Sequence, residues 1–267
     1  MRTVSVVLAV ASVLTISAVD RSAAADIPAR VLKAAPFSPV SYAWSGFYVG
    51  LNVGYGWNDS TIDIGTVDPA GIVQAAAAAG AFPLAYSFTR DGFIFGGQAG
   101  YNYQFGQFLV GVEGDMSATG INGSTSVFVP TCPGFCTFPT ASTVSHDMDF
   151  FGTLRARVGY VMGQWLFYGT GGLAFGHVRY TYLQTNVPFG GGLTISAADD
   201  NVEFGWTAGF GVEYGFERWS GKLEYLYYDL GNHSLFAQIP PAPVGVGLVP
   251  NFQNTGSIIR AGLNYHL

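Results

Sequence analysis

The sequence predicts an all-β fold, an eight-stranded antiparallel transmembrane β-barrel with short periplasmic turns and long extracellular loops. The first observation behind this prediction is the strict alternation of apolar and polar residues from Ser257 to Leu267 at the C-terminus. The second is that similar segments recur along the chain, separated alternately by short and long connections. The third is the composition, because only 10% of the residues are charged, against about a quarter in soluble domains.

The N-terminus predicts export from the cytoplasm. We interpret residues 1–25 as a signal peptide, because residues 3–19 form an uncharged apolar run and residues 23–25 offer a small-residue cleavage site. The alternative is a membrane-anchoring helix, since the run approaches the roughly 18 to 20 residues that span a bilayer. The prolines of residues 26–43 predict an extended periplasmic leader, and residues 44–267 form the predicted barrel.

Eight segments carry the strand pattern, and each reaches the roughly 9 to 11 residues that a tilted strand needs to cross a bilayer. In chain order, the segments are Trp44 to Trp57, Asp91 to Gln104, Gln107 to Ser117, Asp149 to Tyr160, Gln164 to Tyr180, Asn201 to Tyr214, Glu217 to Leu230 and Ser257 to Leu267. The residues expected on the lipid-facing side include Phe47, Leu51, Tyr101, Phe167, Phe204, Trp206, Leu223 and Leu263.

Two further details of the strand segments lead to expectations. The fifth segment loses a clear phase near His177, and a β-bulge at that point would explain the shift. Aromatic residues at the strand ends, Trp44 and Trp219 among them, are expected in the girdles that face the lipid headgroups.

The connections between the segments sort by length. The short ones are predicted to be periplasmic turns, at residues 105–106, 161–163 and 215–216. The long ones are predicted to be extracellular loops, at residues 58–90, 118–148, 181–200 and 231–256. Outer-membrane lipid is the predicted surrounding of the strands, and any extracellular partner would meet the four long loops.

Several of these segments resemble a known family, the outer-membrane β-barrel proteins of alphaproteobacteria, which are related to the opacity-protein and OmpA-type eight-stranded barrels. The resemblance lies in WSGFYVGLNVGYGW (44–57), GYNYQFGQFLVGVEGD (100–115), RARVGY (155–160), GWTAGFGVEYGF (205–216), KLEYLYYDLG (222–231) and the ending RAGLNYHL. It implies insertion from the periplasm by the barrel-assembly machinery and a structural, antigenic or porin-like role.

The resemblance also implies a C-terminal assembly signal. In this chain the signal would comprise Leu263, Tyr265 and Leu267. The family signal usually ends in an aromatic residue, most often Phe, whereas this chain ends in Leu.

Nine charged residues fall on the predicted inward faces of the strands. They are Glu113, Asp115, Arg155, Arg157, Glu203, Glu213, Lys222, Glu224 and Arg260. Counted from the short turns, six of them lie at similar heights, namely Glu113, Arg155, Arg157, Lys222, Glu224 and Arg260. Because an eight-stranded lumen is just wide enough for side chains to fill it, we interpret these charges as a salt-bridge plug across the barrel. Two alternatives remain open, namely charges that are solvated separately by water and charges that line an ion-conducting path.

Other reactive groups are sparse. Cys132 and Cys136 flank a Pro-Gly turn in the second long connection, and in an oxidising compartment they should form a small disulfide. Residues 146–149 (HDMD) are expected to form a solvated polar rim rather than a cation site. His177 and His233 have no spacing that selects a catalytic triad. No catalytic residue, cofactor or metal site is therefore predicted.

The functional prediction is an integral outer-membrane protein with a structural or surface-interaction role and no enzymatic activity. The alternative is a porin-like channel for small solutes or ions, and a lipid-acting outer-membrane enzyme is a distant third possibility. Nucleic acid is an unlikely partner, because the formal net charge is −6 and the sequence has no basic stripe.

Overall fold

The structure is a computed structural model that describes residues 42–130, 139–185, 193–240 and 242–267. Over these ranges the chain forms nine β-strands and one short helix. Their bounds are β1 Gly46–Val67, α1 Ile72–Ala78, β2 Ala85–Phe105, β3 Phe108–Val129, β4 Thr140–Met162, β5 Trp165–Thr185, β6 Ile195–Phe216, β7 Trp219–Ser234, β8 Ala237–Gln238 and β9 Gly247–His266. The predicted signal peptide, most of the predicted leader, and Cys132 and Cys136 lie outside the described residues.

The long strands form one antiparallel sheet that closes on itself. Each strand from β1 to β7 pairs with the next, β7 pairs with β9, and β9 pairs with β1, where Leu51 lies opposite Leu263. Closure satisfies the backbone groups that would otherwise be exposed at an edge in lipid. The predicted antiparallel β-barrel class is confirmed. The sheet holds nine strands in place of the eight predicted, because β8 adds two residues that pair with β9.

No helix among the described residues is long and apolar enough to cross a membrane. The helix α1 spans only seven residues and lies between β1 and β2. The carboxylate of Asp68 accepts hydrogen bonds from the backbone N–H groups of Ala70 and Val73 at its start.

The strands are much longer than the sequence predicted. The eight long strands span 16 to 23 residues each, so large parts of the predicted loops 58–90, 118–148, 181–200 and 231–256 belong to strands. The prediction of those loop boundaries was wrong because alternation continues beyond the lipid-facing segments. On β1, for example, Ile62 is buried while Thr61 and Asp63 are exposed.

The barrel has two parts with opposite chemistry, which we call the lower and the upper barrel. The lower barrel comprises residues 46–57 of β1 and the levels paired with them, and its outward side chains are apolar, as at Phe47 and Leu51. The upper barrel comprises residues 58–67 of β1 and the levels paired with them, and its buried interior is a large apolar cluster that includes Ile62 and Phe252. All the residues predicted to face lipid are exposed on the outside of the lower barrel.

Tight turns join the strands at the lower end. Gly106 and Gly163 have φ angles of 65° and 63°, a conformation that glycine adopts without a steric penalty. The third turn was predicted at residues 215–216, but β6 continues through Phe216 and the turn is formed by Glu217 and Arg218, with Glu217 at a φ of 56°. Both ends of the barrel domain, at β1 and β9, also lie at this lower end.

Trp44 occupies a different position from the one predicted. It was expected in the aromatic girdle outside the barrel, but it is fully buried. The chain enters β1 only at Gly46, and residue 44 packs against Tyr42, with ring centroids 4.6 Å apart, and against His266. Tyr42 and Trp44 belong to a small apolar cluster at the lower end, together with Leu109, Val161, Leu166 and Tyr168.

The irregularity predicted at His177 lies on the neighbouring strand. The register between β4 and β5 shifts between Met148 and Phe150, so the extra residue is Asp149 on β4. The alternation of β5 itself continues without interruption, with Val178 and Tyr180 buried. Its phase is ambiguous in the sequence because His177 is at the level where the outward face changes from apolar to polar.

Candidate functional site: a charge network inside the lower barrel

Inward-facing positions on five strands carry charged side chains at one level of the lower barrel. Residues two apart on a strand share a face, which places each pair of like charges on β3 and β4 on the lumen side. The members of this lumen network are Glu113 and Asp115 on β3, Arg155 and Arg157 on β4, Glu213 on β6, Lys222 and Glu224 on β7, and Arg260 on β9.

Ion pairs of the network cross the lumen rather than following the wall. Glu113 on β3 lies 2.8 Å from Lys222 on β7, although these two strands are not neighbours in the sheet. Arg155 on β4 lies 3.0 Å from Glu224 on β7. The side chains of all four residues have no exposed surface. The network therefore ties opposite walls of the barrel together.

Arg260 and Arg155 each connect several carboxylates. Arg260 reaches Glu224 at 2.7 Å and Asp115 at 2.9 Å. Arg155 is bonded to Glu113 at 2.5 Å and to Asp115 at 3.1 Å. Hydrogen bonds to ionised groups are shorter and stronger than neutral ones, and sharing each carboxylate between two cations reduces the penalty of burying the charges.

Arg157 joins the network to the lower end of the barrel. Its guanidinium contacts Glu213 at 2.7 Å and the hydroxyl of Tyr48 at 2.6 Å. The same guanidinium lies over the ring of Tyr168, 4.1 Å from the centroid, in a cation–π arrangement. The Tyr48 hydroxyl donates to Glu113 at 2.8 Å, so Tyr48 and Arg157 share the Glu113 carboxylate.

The network is balanced in charge. It comprises four carboxylates and four cations, each with at least one partner of opposite sign. Each charge is neutralised by its neighbours, and the nearby hydroxyls of Tyr48 and Tyr168 donate to carboxylates. Within the ranges that the structure describes, no group of three or more His, Cys, Asp or Glu side chains could hold a metal ion.

Glu203 does not join the network. It was predicted to belong to the lumen charges, but it lies in the upper barrel, where its carboxylate is 2.9 Å from Nδ1 of His233. Nε2 of His233 lies 2.9 Å from Asp199. The backbone N–H of Asp200 donates to Asp199 and lowers the pKa of that carboxyl below its usual value. Inward charges therefore occur at two levels of the barrel, and Glu203 belongs to the upper one.

The residues of the predicted assembly signal occupy the outward face of the last strand. Leu263 is exposed to the lipid side, and Tyr265 packs against Trp219 with ring centroids 5.0 Å apart. The backbone N–H of Leu267 donates to the carbonyl of Phe47 on β1 at 2.9 Å. The C-terminus thus takes part in the strand pairing that closes the barrel, and its recognition by an assembly machinery stays a prediction.

Two buried polar residues of the upper barrel were missed in the sequence. Arg90 was assigned to a loop and His146 to a solvated rim, yet neither has any exposed surface. Both lie within strands, on β2 and β4, and face inward, whereas Asp147 and Asp149 face outward. Around His146, small and polar residues on both faces of β4 hide the alternation that would have identified an inward position.

The sequence matches the model of one protein family, described as the outer membrane protein β-barrel domain, over residues 7–265. It is 34% identical to the 31 kDa outer-membrane immunogenic protein of Brucella melitensis over 246 residues, which cover 91% of this chain and 92% of the relative. It is 30% identical to the 22 kDa outer membrane protein of Rhizobium leguminosarum over 73% of this chain and 68% of that protein.

Among solved structures, the fold is similar to that of the outer membrane protein OprG from Pseudomonas aeruginosa. The match covers 84% of this chain and 96% of that chain, with 12% sequence identity and a TM-score of 0.47.

Proposed function

Because this chain belongs to the outer membrane protein β-barrel family, we propose that it is a non-enzymatic, non-conducting barrel that anchors a surface-exposed structure in the outer membrane. The family and the relatives place the chain in the outer membrane. In the proposed orientation, the short turns of the lower end lie in the periplasm, and the upper barrel projects outside the cell.

The cross-lumen charge network is the observation that carries this proposal. A wall of eight long strands encloses a space that side chains can fill. Here the side chains of eight charged residues fill it, and none of these side chains is more than 1% exposed. A conducting pore needs water and weak, exchangeable contacts along its axis. The guanidinium and carboxylate groups of this network are instead held in fixed pairs, with N–O distances of 2.5 to 3.1 Å.

Packing above and below the network supports the same conclusion. Below it, Tyr42 and Trp44 lie in a buried apolar cluster. Above it, Ile94, Phe151 and Ile258 belong to the apolar core that continues into the upper barrel. A hydrated ion would lose its water at each of these layers without gaining ligands, so apolar packing opposes its passage.

The upper barrel supplies the proposed surface role. Its strands continue far beyond the lipid-facing segments, and its outward residues on β1 include Asp59, Thr61 and Asp63, which suit an aqueous surrounding. The Brucella relatives are named immunogenic proteins, which is consistent with a part that projects from the cell. We therefore propose that contacts with other molecules are made by the upper barrel and its connections.

Planar-bilayer recording on the purified, refolded protein tests this function. We expect no unitary conductance steps above those of protein-free bilayers, because the network leaves no continuous polar path. An Arg157→Ala variant should open a partial path and is expected to leak, while Arg218→Ala, at an exposed turn, should behave as the wild type. Steady wild-type conductance whose ion selectivity changes in Arg157→Ala, with unchanged barrel stability, would establish a channel instead.

A further inference from the structure

Arg90 is a buried cation without a counter-charge in the upper barrel. It faces inward from β2 and has no exposed surface. None of its three guanidinium nitrogens has a hydrogen-bond partner among the described residues. In the lower barrel every buried arginine of the network meets at least two acceptors. The isolation of Arg90 is therefore a local feature of this site.

The side chain of Arg90 lies against Gly123 on the neighbouring strand β3. A side chain at Gly123 on β3 would meet it, since an added Cβ would lie 2.6 Å from Cγ of Arg90. Gly123 pairs in turn with His146 on β4, and His146 pairs with Tyr180 on β5. The absence of a side chain at residue 123 thus allows Arg90 and His146 to approach the same part of the interior.

His146 is the second unpaired group at this site. It is fully buried, and neither ring nitrogen has a hydrogen bond of good geometry within the described part of the chain, although Asn254 lies nearby. Burial lowers the pKa of His146 well below its usual value, and the charge of Arg90 lowers it further. A neutral imidazole has one N–H donor, and Oδ1 of Asn254 is the acceptor nearest to it, so the unused donors of this site are those of Arg90.

The surrounding residues do not supply the missing negative charge. Tyr180 uses its hydroxyl to contact Glu203 and to accept from Asn254, at 2.7 Å from the Asn254 amide nitrogen. Asp147 carries the nearest carboxylate on β4, but it occupies an outward position between His146 and Met148. An unpaired buried charge is strongly unfavourable, and a partner that brings negative charge would remove this cost.

We propose that the upper barrel binds a small monovalent inorganic anion, of the size of chloride, between Arg90 and His146. All three guanidinium nitrogens of Arg90 are without an acceptor, and the charge of Arg90 acts on His146; an unpaired buried cation selects an anion over a cation. The aromatic neighbours Tyr180 and Phe252 are fully buried and pack around His146, with ring centroids 5.0 and 5.6 Å away. Close aromatic packing around His146 favours an ion of one or a few atoms over an organic ligand.

Thermal unfolding of the detergent-solubilised barrel in chloride and in gluconate at equal ionic strength tests the site. An ion that binds only the folded state raises stability with its concentration. For wild type we expect the unfolding temperature to rise by roughly 3 to 6 °C for each tenfold increase in chloride above the dissociation constant. Arg90→Met should show no chloride response and should equal or exceed wild type in gluconate. Arg218→Met, the matched control, should keep the wild-type response.

A direct measurement covers the case in which Arg90→Met does not fold. Crystals of the wild-type protein grown in bromide should give an anomalous scattering peak between the Arg90 guanidinium and the His146 ring. A water molecule at that position without anomalous signal would overturn the proposal. So would an equal chloride response in wild type and Arg90→Met. Because neither readout involves conductance, both outcomes are independent of the proposed closed lumen.

Discussion

The two halves of β1 show how one strand serves two surroundings. In residues 46–57 the outward side chains are apolar and the inward ones polar, as in the pair Leu51 and Asn52, which are 60% and 2% exposed. In residues 58–67 the assignment is reversed, with Ile62 buried and Asp63 exposed. The strand geometry is the same in both halves, since alternate residues face alternate sides throughout.

The reversal shows that the surrounding solvent decides what a barrel can place inside. Where lipid covers the outside, apolar residues gain nothing from the interior, so polar and charged groups can fill the lumen if they are paired. Where water covers the outside, burial of apolar side chains again drives folding. The lower barrel is therefore held by the lumen network, and the upper barrel is held by an apolar core like that of a soluble protein.

The largest expected effect comes from breaking the lumen network. Arg260→Ala would leave Glu224 and Asp115 with reduced compensation in a closed space, and breaking a buried ion pair typically costs about 3 to 5 kcal/mol. We expect this loss in urea-induced unfolding of the protein in lipid vesicles. Arg218→Ala, which removes an exposed arginine, should change the free energy of unfolding by no more than about 0.5 kcal/mol.

An equal, small effect of both arginine substitutions would contradict the comparison. It would mean that the charges of the lower barrel are solvated separately and do not hold its walls together. In that case the interior of the lower barrel would contribute little to stability, and the lipid-facing residues together with strand pairing would account for it.

The sequence predicted the lower barrel better than the upper one, for a physical reason. In the lower barrel, large apolar residues such as Phe47 and Leu51 alternate with glycine and polar residues, and this pattern clearly distinguishes the lipid-facing side of the strand from the inward side. In the upper barrel the inward positions include Ser142 and His146 as well as Val144, while the outward ones include Ala141 and Thr143. Small and polar residues on both faces weaken the alternation, and the segment was interpreted as a loop.

The ion-pair partners within the lumen network could not be predicted from the sequence. Strand phase placed Glu113, Arg155 and Lys222 inside at similar heights, since that follows from alternation and distance to the turns. Which carboxylate meets which cation depends on the tilt and stagger of strands across the lumen. Glu203 shares the inward phase of these residues, but it lies several levels higher, beside His233.

A pair of substitutions on β1 tests the boundary between the two parts. Leu51→Arg places a charge in the lipid-facing band, where it should cost about 2 to 4 kcal/mol near the bilayer midplane. Thr61→Arg places the same charge ten residues further along the same face, where water accepts it at a cost within about 0.5 kcal/mol. Heat-dependent gel migration after folding into vesicles measures both. Similar losses at the two positions would place the boundary elsewhere on the strand.

The smallest expected effect is a pH dependence confined to the upper barrel. His146 faces Arg90 from β2, Tyr180 from β5, His233 from β7 and Asn254 from β9, and burial, followed by the charge of Arg90, lowers its pKa well below 6.5. The unfolded chain binds a proton near pH 6.5 that the folded chain does not, so stability is present above this pH and decreases as the pH falls below it. The decrease has an upper limit of about 1.4 kcal/mol per pH unit.

The free energy of unfolding of the wild type, measured between pH 7.5 and 5.5 with gluconate as the only anion, should show this decrease. His146→Phe should reduce this slope. An unchanged slope in His146→Phe would assign the pH dependence to other groups and would remove the evidence that the upper barrel excludes a charged imidazole.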